Sequence, residues 1–338
     1  MKPAKPRSLA TSVSQWLFVP LLLAAVAGAH GAPTHEIVLL VGAPGEPTYA
    51  ENFSSAARAW QNAAGRAGAA LTTIGLSPES EAAAPDDRTL LQTWLAARTQ
   101  TSDTPAPATP LWIVYIGHGT HDGRETRLNL RGPDVTAKDL AAWLAPLTRP
   151  LIFIHGGSAG APFINALSDP DRIIISATRS GSELNYARFG EHFADAVANP
   201  AADIDQDGQT SLLEAFVTAA QQVQAFYAET GRLATEHALI DDNGDKQGTP
   251  AEWFRGTRVQ RRPQNSTAKP DGLHARLIAL IPTESERALT PAQREERDTL
   301  EHELESLRAR KSSLAEDDYY LQLESLFRRL GALYRAGT

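Results

Sequence analysis

The sequence predicts an α/β fold in which helices cover both faces of a mostly parallel β-sheet. Short β-branched runs are apolar on both faces, as expected for strands buried on both sides. These runs alternate along the chain with Ala-rich helical stretches, which indicates crossover connections between parallel strands. The 338 residues are 42% hydrophobic and 21% charged, which is ordinary globular composition.

The predicted strands and helices alternate from residue 36 to residue 198. The strands are Glu36–Val41 (EIVLLV), Ala69–Ile74, Leu111–Ile116 (LWIVYI), Leu151–His155 (LIFIH) and Arg172–Ala177. The helices are Asn52–Ala67, Arg88–Arg98, Ala137–Leu144 and Tyr186–Ala198. Ligands of such sheets bind at the carboxyl ends of the strands, so the loops after Ile116 and His155 are the places to expect a site.

Charge and cysteine content exclude several classes of function. The chain has 32 Lys and Arg against 40 Asp and Glu, a net charge of −8, which argues against nucleic-acid binding through a basic face. It contains no cysteine, which excludes disulfides, thiolate zinc sites and any cysteine nucleophile.

The first 29 residues have the pattern of a signal peptide. Lys2, Lys5 and Arg7 precede the apolar run Trp16–Ala27, and Ala27-Gly28-Ala29 is a small-residue cleavage site. A membrane anchor is the alternative, but the run is shorter than the ~20 residues that a span needs. We therefore expect an exported protein, periplasmic or extracellular, with no membrane span in its mature chain.

The chain beyond the α/β domain (residues 33–258) divides into a connector and a helical hairpin. Residues 259–289 begin with a polar stretch and end in a predicted last strand, His274–Ile281. Thr290, Pro291 and Gln293 form a capping-box pattern that starts the hairpin, residues 290–336. The apolar stripes of its two helices are Leu300, Leu304, Leu307 and Leu314, then Leu323, Leu326, Leu330 and Leu333. The hairpin either packs on its own domain or joins two copies as a coiled-coil homodimer.

The most specific motif is a twelve-residue calcium loop at residues 203–214, which fits the pattern D-x-[DN]-x-[DN]-G-x5-E at every position. Alternating carboxylates in a tight loop supply the several oxygens that a hard cation needs. The predicted ligands are Asp203, Asp205, Asp207, the backbone carbonyl of Gln209, Ser211 and Glu214. Asn199-Pro200 breaks the upstream helix, so the loop is EF-hand-like with only its exiting helix assured. We expect a structural Ca²⁺.

A second acidic cluster, Asp241–Asp245 (DDNGD), is a weaker candidate for cation binding. The alternative is an ordinary Asn-Gly turn.

Two strands run into glycine-rich turns that carry polar groups. The segments are Val114–Thr120 (VYIGHGT) and Phe153–Phe163 (FIHGGSAGAPF). In these residues, and in the strand order over about residues 35 to 230, the chain resembles the caspase–haemoglobinase superfamily, most closely its legumain-type peptidases. The resemblance implies a three-layer caspase-like domain, with His118 at the catalytic histidine of the Gly-His-Gly turn and Gly157 at the position of the nucleophilic cysteine.

This departure removes cysteine peptidase activity and leaves two alternatives, because a thiol–imidazole dyad needs a thiol. In the first, which we favour, the domain is a degenerate peptidase that binds a peptide or protein or acts as a scaffold. In the second, Ser158 replaces the cysteine, since Gly156-x-Ser158-x-Gly160 formally fits the nucleophile elbow of serine hydrolases. His118, or else His155, would then be the base, with Asp122 as an orienting group.

Other histidines offer weaker alternatives. His192 and His237 follow Ser158 in the chain, the order usual in α/β-hydrolases, but neither lies in an obvious catalytic turn. His118, His121 and Asp122 share one loop and could chelate zinc or copper, although a lone His-x-x-His is a weak signal.

Overall fold

The fold is described from a computed structural model that covers residues 35–76, 85–99, 109–261 and 269–336. The predicted signal peptide and most of the polar connector after residue 260 lie outside the described residues. Within the described ranges, no helix is both long and apolar enough to cross a membrane.

Within the described residues, the strands form one large and two small sheets. In chain order they are β1 (Glu36–Val41), β2 (Ala70–Ile74), β3 (Leu111–Ile116), β4 (Gly119–His121), β5 (Thr126–Leu128), β6 (Val135–Thr136), β7 (Leu151–His155), β8 (Arg172–Ser176), β9 (Leu239–Asp241), β10 (Thr249–Pro250), β11 (Phe254–Arg255) and β12 (Arg258–Val259). The large sheet has the order β10-β9-β8-β7-β3-β1-β2. Five of its strands pair in parallel, namely β2, β1, β3, β7 and β8. Strands β9 and β10 add an antiparallel edge.

Helices cover both faces of this sheet. They are α1 (Pro47–Ala67), α2 (Asp87–Thr99), α3 (Ala137–Leu144), α4 (Ala161–Leu167), α5 (Phe189–Ala196), α6 (Leu212–Glu229), α7 (Glu284–Ala288), α8 (Pro291–Ala309) and α9 (Glu316–Ala336). Ile37 and Leu39 of β1 join the core with α1, α5 and α6, whereas Val38 and Leu40 join the core with α2, α3 and α4. The period of two in side-chain direction thus produces two cores on one sheet, and the predicted α/β fold with a mostly parallel sheet is confirmed.

The C-terminal helices α8 and α9 form the predicted hairpin. Thr290 caps α8 in a capping box with Gln293, as its sequence indicates. The two leucine stripes meet in one apolar cluster, which consists of Leu300, Leu304, Leu307, Tyr319, Leu326, Leu330 and Leu333. Arg276 ties α8 to the rest of the chain through ion pairs with Glu301 (2.5 Å) and Glu305 (3.0 Å).

The predicted strand His274–Ile281 is wrong. Residues Ala275–Leu277 form a short 3-10 helix, and only a single bridge, Ser211 to Ala279, has strand character. The cause lies about 30 residues upstream, where the buried carboxylate of Asp242 accepts hydrogen bonds from three N–H groups of the turn, those of Gly272, His274 and Ala275. These bonds hold the backbone in a turn despite its apolar sequence.

Candidate functional sites

The turns after β3 and β7 lie side by side at the carboxyl edge of the large sheet. Tyr115 and His155 are partners in the parallel pairing of these strands. The N–H of Gly119 donates to the hydroxyl of Ser158 at 3.1 Å, which joins the two turns. The sheet therefore brings the His118 and Gly157 turns to the same edge.

Gly157 has no room for a side chain. A Cβ atom built on Gly157 would lie 1.9 Å from the carbonyl oxygen of Gly117, far inside van der Waals contact. The contact is with backbone, which cannot rotate away as a flexible side chain could. At the position where the family resemblance implies a nucleophile, the two turns are in direct backbone contact.

Ser158 is buried, with 2% of its surface exposed. Its hydroxyl donates to the carbonyl of Gly119 at 3.0 Å and accepts from the N–H of the same residue. The left-handed residue of the turn is Ala159 (φ +57°), whereas the nucleophile elbow exposes the nucleophile itself on a strained turn. The geometry of Ser158 is that of a backbone bridge, and it offers the serine hydrolase alternative no support.

His118 is half-buried among aromatic rings. The ring centroids of Tyr49, Phe53 and Tyr186 lie 4.7, 5.2 and 5.9 Å from that of His118. Its Nε2 lies 3.3 Å from the carbonyl oxygen of Pro44. Burial lowers the pKa of His118, so the neutral imidazole predominates at neutral pH. The Nε2–H tautomer of this neutral ring donates to Pro44.

The remaining candidates near this turn have other partners. His121 Nδ1 lies 2.8 Å from the hydroxyl of Thr126, and Asp122 pairs with Arg127 at 2.8 Å. Asp122 also accepts N–H groups of its own loop. These contacts turn His121 and Asp122 toward β5 and its loop, so the structure does not assemble them with His118 into a metal site or a catalytic triad.

His155 lies in the core, completely buried beside Tyr115 and Phe163. Burial lowers its pKa to about 4. Its Nδ1 contacts the backbone of Gly157, and its Nε2 has no hydrogen-bond partner. His155 therefore contacts the turn from within the core.

One acid–imidazole pair was not predicted from the sequence. Nδ1 of His237 lies 2.6 Å from Oε1 of Glu183, and the backbone carbonyl of Glu183 accepts the N–H of Ala159 at 2.9 Å. His237 also lines a cavity of about 200 Å³ beside α6. The one available signal was the position of Glu183 in the loop that follows β8, at the same edge of the sheet. His192, the other downstream histidine, lies on α5.

The predicted calcium loop folds with its exiting helix in place. α6 begins at Leu212, the tenth position of the loop, and Ser211 caps it in a capping box with Glu214. Gly208 takes the left-handed conformation (φ +93°) that the sharp turn requires. A 3-10 helix, Pro200–Ala202, precedes the loop in place of an entering α-helix.

Three of the predicted ligands converge. A carboxylate oxygen from each of Asp203, Asp205 and Glu214 lies within 4.8 Å of the others, and this is the one such cluster of acidic or imidazole groups among the described residues. Asp207 instead accepts the N–H and side-chain amide of Gln209. Ser211 donates its hydroxyl to Glu214 at 2.8 Å.

Electrostatics in this loop favour a bound cation. Burial, followed by the charges of Glu214, Asp207 and Asp203, raises the pKa of Asp205 to about 6. Hard carboxylate oxygens held this close fit a divalent cation, which would remove the repulsion between them. The donor set thus has the chemistry that calcium requires.

Comparisons with known proteins add structural neighbours only. No protein-family model matches this sequence, and no curated protein matches it either. Among solved structures, the chain is similar to the initiator caspase Dronc of Drosophila, at 11% identity over 63% of this chain and 81% of that chain, with a TM-score of 0.37. Caspase-1 of Spodoptera frugiperda is 9% identical over 62% and 86%, with a TM-score of 0.38.

A third neighbour is Raptor of Chaetomium thermophilum. It is 12% identical, and the match covers 49% of this chain but only 18% of that chain, with a TM-score of 0.32.

Proposed function

We propose that this chain is an exported, calcium-binding and non-catalytic protein with a legumain-like version of the caspase-like fold, and that it binds a peptide or protein segment at the edge formed by β3 and β7. The observation that carries the proposal is the contact between the backbones of Gly157 and Gly117. No side chain fits at position 157 without displacing one of the two turns.

The absence of catalysis follows from what stands beside His118. The chain has no thiol, and the Ser158 hydroxyl is occupied by the backbone of Gly119 in both directions. A serine hydroxyl is a weak nucleophile unless a base is aligned with it. The imidazole of His118 is directed at Pro44 instead.

The binding role rests on the aromatic group around His118. Tyr49 and Tyr186 lie 4.8 Å apart at their ring centroids, and Asn52 donates to the Tyr186 hydroxyl at 3.2 Å. Leu184, in the adjacent loop, is 55% exposed. Aromatic and apolar side chains with a few polar groups are typical of ligand-binding sites.

Calcium is proposed as a structural ion of residues 203–214. The loop is joined to the segment before the hairpin, because the N–H of Leu212 donates to Ile278 at 2.7 Å and Thr283 donates to the side chain of Gln209 at 3.3 Å. Outside the cytoplasm, even a site with a Kd of about 10⁻⁴ to 10⁻³ M is well occupied. The ion would then stabilise the junction between α6 and the C-terminal part.

Catalysis and binding can be tested on the same preparation of the mature chain. We expect no cleavage of a mixed peptide library by mass spectrometry and no labelling by a fluorophosphonate probe. If the probe labels the wild type and this labelling is lost in Ser158→Ala, the proposal of a non-catalytic protein is contradicted.

For binding, a random dodecapeptide phage library is selected on the wild type. The enriched peptides should lose affinity for Tyr49→Ala and keep it for Leu233→Ala, which shortens an 89% exposed apolar side chain that follows α6. Equal binding to both variants, or no enrichment, would refute a peptide site at this edge.

The calcium proposal is tested by the shift in melting temperature between chelator and millimolar Ca²⁺. Glu214 accepts N–H groups of Ile204 and Asp205 as well as Ser211, so Glu214→Gln lowers stability even in chelator. The decisive quantity is therefore the calcium-induced shift. We expect it to fall in Glu214→Gln and Asp205→Asn and to persist in Glu229→Gln, a control at the far end of α6. An undiminished shift in the first two variants would refute this site.

We further propose that α9 joins two copies of the chain. Tyr320, Leu321 and Phe327 are 49%, 68% and 48% exposed on this helix. Its buried leucines, which pack against α8, are Leu326, Leu330 and Leu333. Exposed apolar surface of this kind is typical of association sites. A second copy presents the same surface, as a two-fold symmetric interface requires.

A further inference from the structure

The turn between β9 and β10 holds an acidic cluster that the proposed function does not use. Asp241 ends β9, Thr249 begins β10, and residues 242–248 connect these antiparallel strands. Asp241 is fully buried, at 0% exposure. Its side chain faces the turn, because its Oδ1 accepts the N–H of Gly244 at 3.1 Å.

The other carboxylate oxygen, Oδ2 of Asp241, is buried without any hydrogen-bond partner. Burial raises the pKa of Asp241, and the charges of Asp245 and Asp242 add to the effect. A side-chain hydrogen bond with Ser168 lowers the pKa of Asp241 and offsets part of this penalty, while Oδ2 itself has no partner in hydrogen-bond geometry. A buried acceptor left in this way is costly and calls for a partner.

Neighbouring acidic side chains do have partners. The carboxylate of Asp242 accepts three backbone N–H groups around residue 274. Asp271 accepts the N–H of Asp242 and the hydroxyl of Thr249. The unsatisfied oxygen of Asp241 is thus a particular feature of the turn and does not reflect loose packing of the whole cluster.

The turn shares backbone features with residues 203–209 of the first loop. The first carboxylate is bonded differently, since Asp203 accepts the N–H groups of Asp207 and Gly208 whereas Asp241 accepts that of Gly244. Asp241, Asn243 and Asp245 stand at positions one, three and five. The fourth and sixth residues are left-handed in both segments, namely Gln206 (φ +61°) and Gly208 (φ +93°) in the first and Gly244 (φ +77°) and Lys246 (φ +67°) in the second.

The seventh position also agrees. The N–H of Gln247 donates to Oδ1 of Asp245 at 2.8 Å, as the N–H of Gln209 donates to Oδ1 of Asp207 at 3.0 Å. In such a loop, side chains one, three and five and the carbonyl of residue seven face the cation.

The two segments differ after the seventh position. The chain here turns back along β9, and the N–H of Ala251 donates to the carbonyl of Ala238 at 3.2 Å. Glu252, which stands at the twelfth position by count, is exposed and lies beyond β10 in a 3-10 helix, far along the strand from Asp241. Water would have to fill the position that Glu214 fills in the first loop.

We propose that this turn is a second site for a hard divalent cation, Ca²⁺, bound by the carboxylates of Asp241 and Asp245, the amide oxygen of Asn243, the carbonyl of Gln247 and water. Each of these donors is an oxygen, which calcium prefers. The ion gives Oδ2 of Asp241 the partner that it lacks in the protein.

The test is carried out in a Glu214→Gln background, so that the first loop does not contribute. Calcium titration by calorimetry should show one remaining site per chain, with a calcium-induced rise in melting temperature. Adding Asp241→Asn should abolish both. Adding Asp169→Asn, an exposed carboxylate of the same neighbourhood, should leave both unchanged.

Asp241→Asn also has a distinctive effect in chelator. Because it removes a buried charge, it should not lower, and should even raise, the melting temperature without calcium, which separates loss of the ion from loss of the fold. Failure of Glu214→Gln to bind calcium, or unchanged binding after Asp241→Asn, would overturn the proposal. If the first loop binds no ion, the wild type would bind one calcium that depends on Asp241 alone, so the two proposals fail separately. Titration with Mg²⁺ shows whether the site selects the larger ion.

Discussion

The hydroxyl of Ser158 is bonded to the backbone of Gly119 in both directions, accepting its N–H at 3.1 Å and donating to its carbonyl at 3.0 Å. This one side chain therefore satisfies a donor and an acceptor of the turn that carries His118. Ser158 therefore joins the two turns as a structural bridge.

Replacement of Ser158 by alanine should destabilise the protein without changing any hydrolytic activity. Because the N–H and carbonyl of Gly119 would be left unsatisfied in a buried place, we expect a loss of about 1–3 kcal/mol in the free energy of unfolding. Urea denaturation measures this loss. Ser182→Ala, which removes an exposed hydroxyl bonded only to Ser180, is the control and should change stability little. A neutral effect of Ser158→Ala would show that the bridge is not formed.

Gly157→Ala should be destabilising because its Cβ meets the carbonyl of Gly117. Overpacking of this kind costs about 1–3 kcal/mol. The matched control is Gly65→Ala within α1, where nothing lies near the added methyl group; there we expect stabilisation by about 0.5–1 kcal/mol. Opposite signs for the two variants in thermal or urea unfolding are the expected result. Similar effects at both positions would contradict the close contact of the two turns.

The sequence predicted the strands of the sheet well wherever burial on both faces makes a continuous apolar run. Residues 37 to 40 of β1 are all fully buried, and the run IVLL shows this directly. The edge strands β9 and β10 were not predicted, because β9 includes Asp241 and β10 has only two residues, one of them Pro250. Their pairing depends on the neighbouring β8 and cannot be inferred from local pattern.

The candidate sites divide in the same way. The turn at Gly208 and the exiting helix of residues 203–214 follow from local spacing and were predicted. The cap formed by Ser211, which was predicted as a ligand, was not. The pair of Glu183 and His237 joins residues 54 positions apart, and only the tertiary structure brings them together. The same holds for Gly157, since the sequence marked it as a missing nucleophile but could not show that Gly117 fills the space.

The buried imidazole of His155 should make stability depend on pH. Its pKa is lowered to about 4 in the fold, against an ordinary 6.5, so the unfolded chain binds a proton at a higher pH than the folded chain does. The contribution of neutral His155 to the free energy of unfolding is therefore fully present above about pH 6.5. It is lost as the pH falls toward 4, by about 3 kcal/mol in total.

His155→Phe should remove this dependence while keeping an aromatic ring beside Phe163. The quantity to compare is the slope of unfolding free energy against pH between 6.5 and 4. This slope reports how many more protons the unfolded chain binds than the folded chain, and that number should be smaller by about one in the variant. The slope of the wild type alone is not diagnostic, because burial also lowers the pKa of His35 to about 4. Identical slopes in the two proteins would mean that His155 is accessible to water in the folded state.

Self-association through α9 gives a prediction on oligomeric state. Phe327→Glu places a charge in the exposed apolar surface that also includes Tyr320, and it should convert a dimer into a monomer in sedimentation velocity at micromolar concentration. The matched control is Leu233→Glu, because Leu233 is 89% exposed but follows α6, outside the hairpin. Neither residue is buried in the monomer core. Both variants should therefore change the free energy of unfolding of the monomer by no more than about 0.5 kcal/mol. A wild type that sediments as a monomer, or a dimer that survives Phe327→Glu, would contradict the proposed interface, and dissociation by Leu233→Glu instead would place the interface at that exposed leucine.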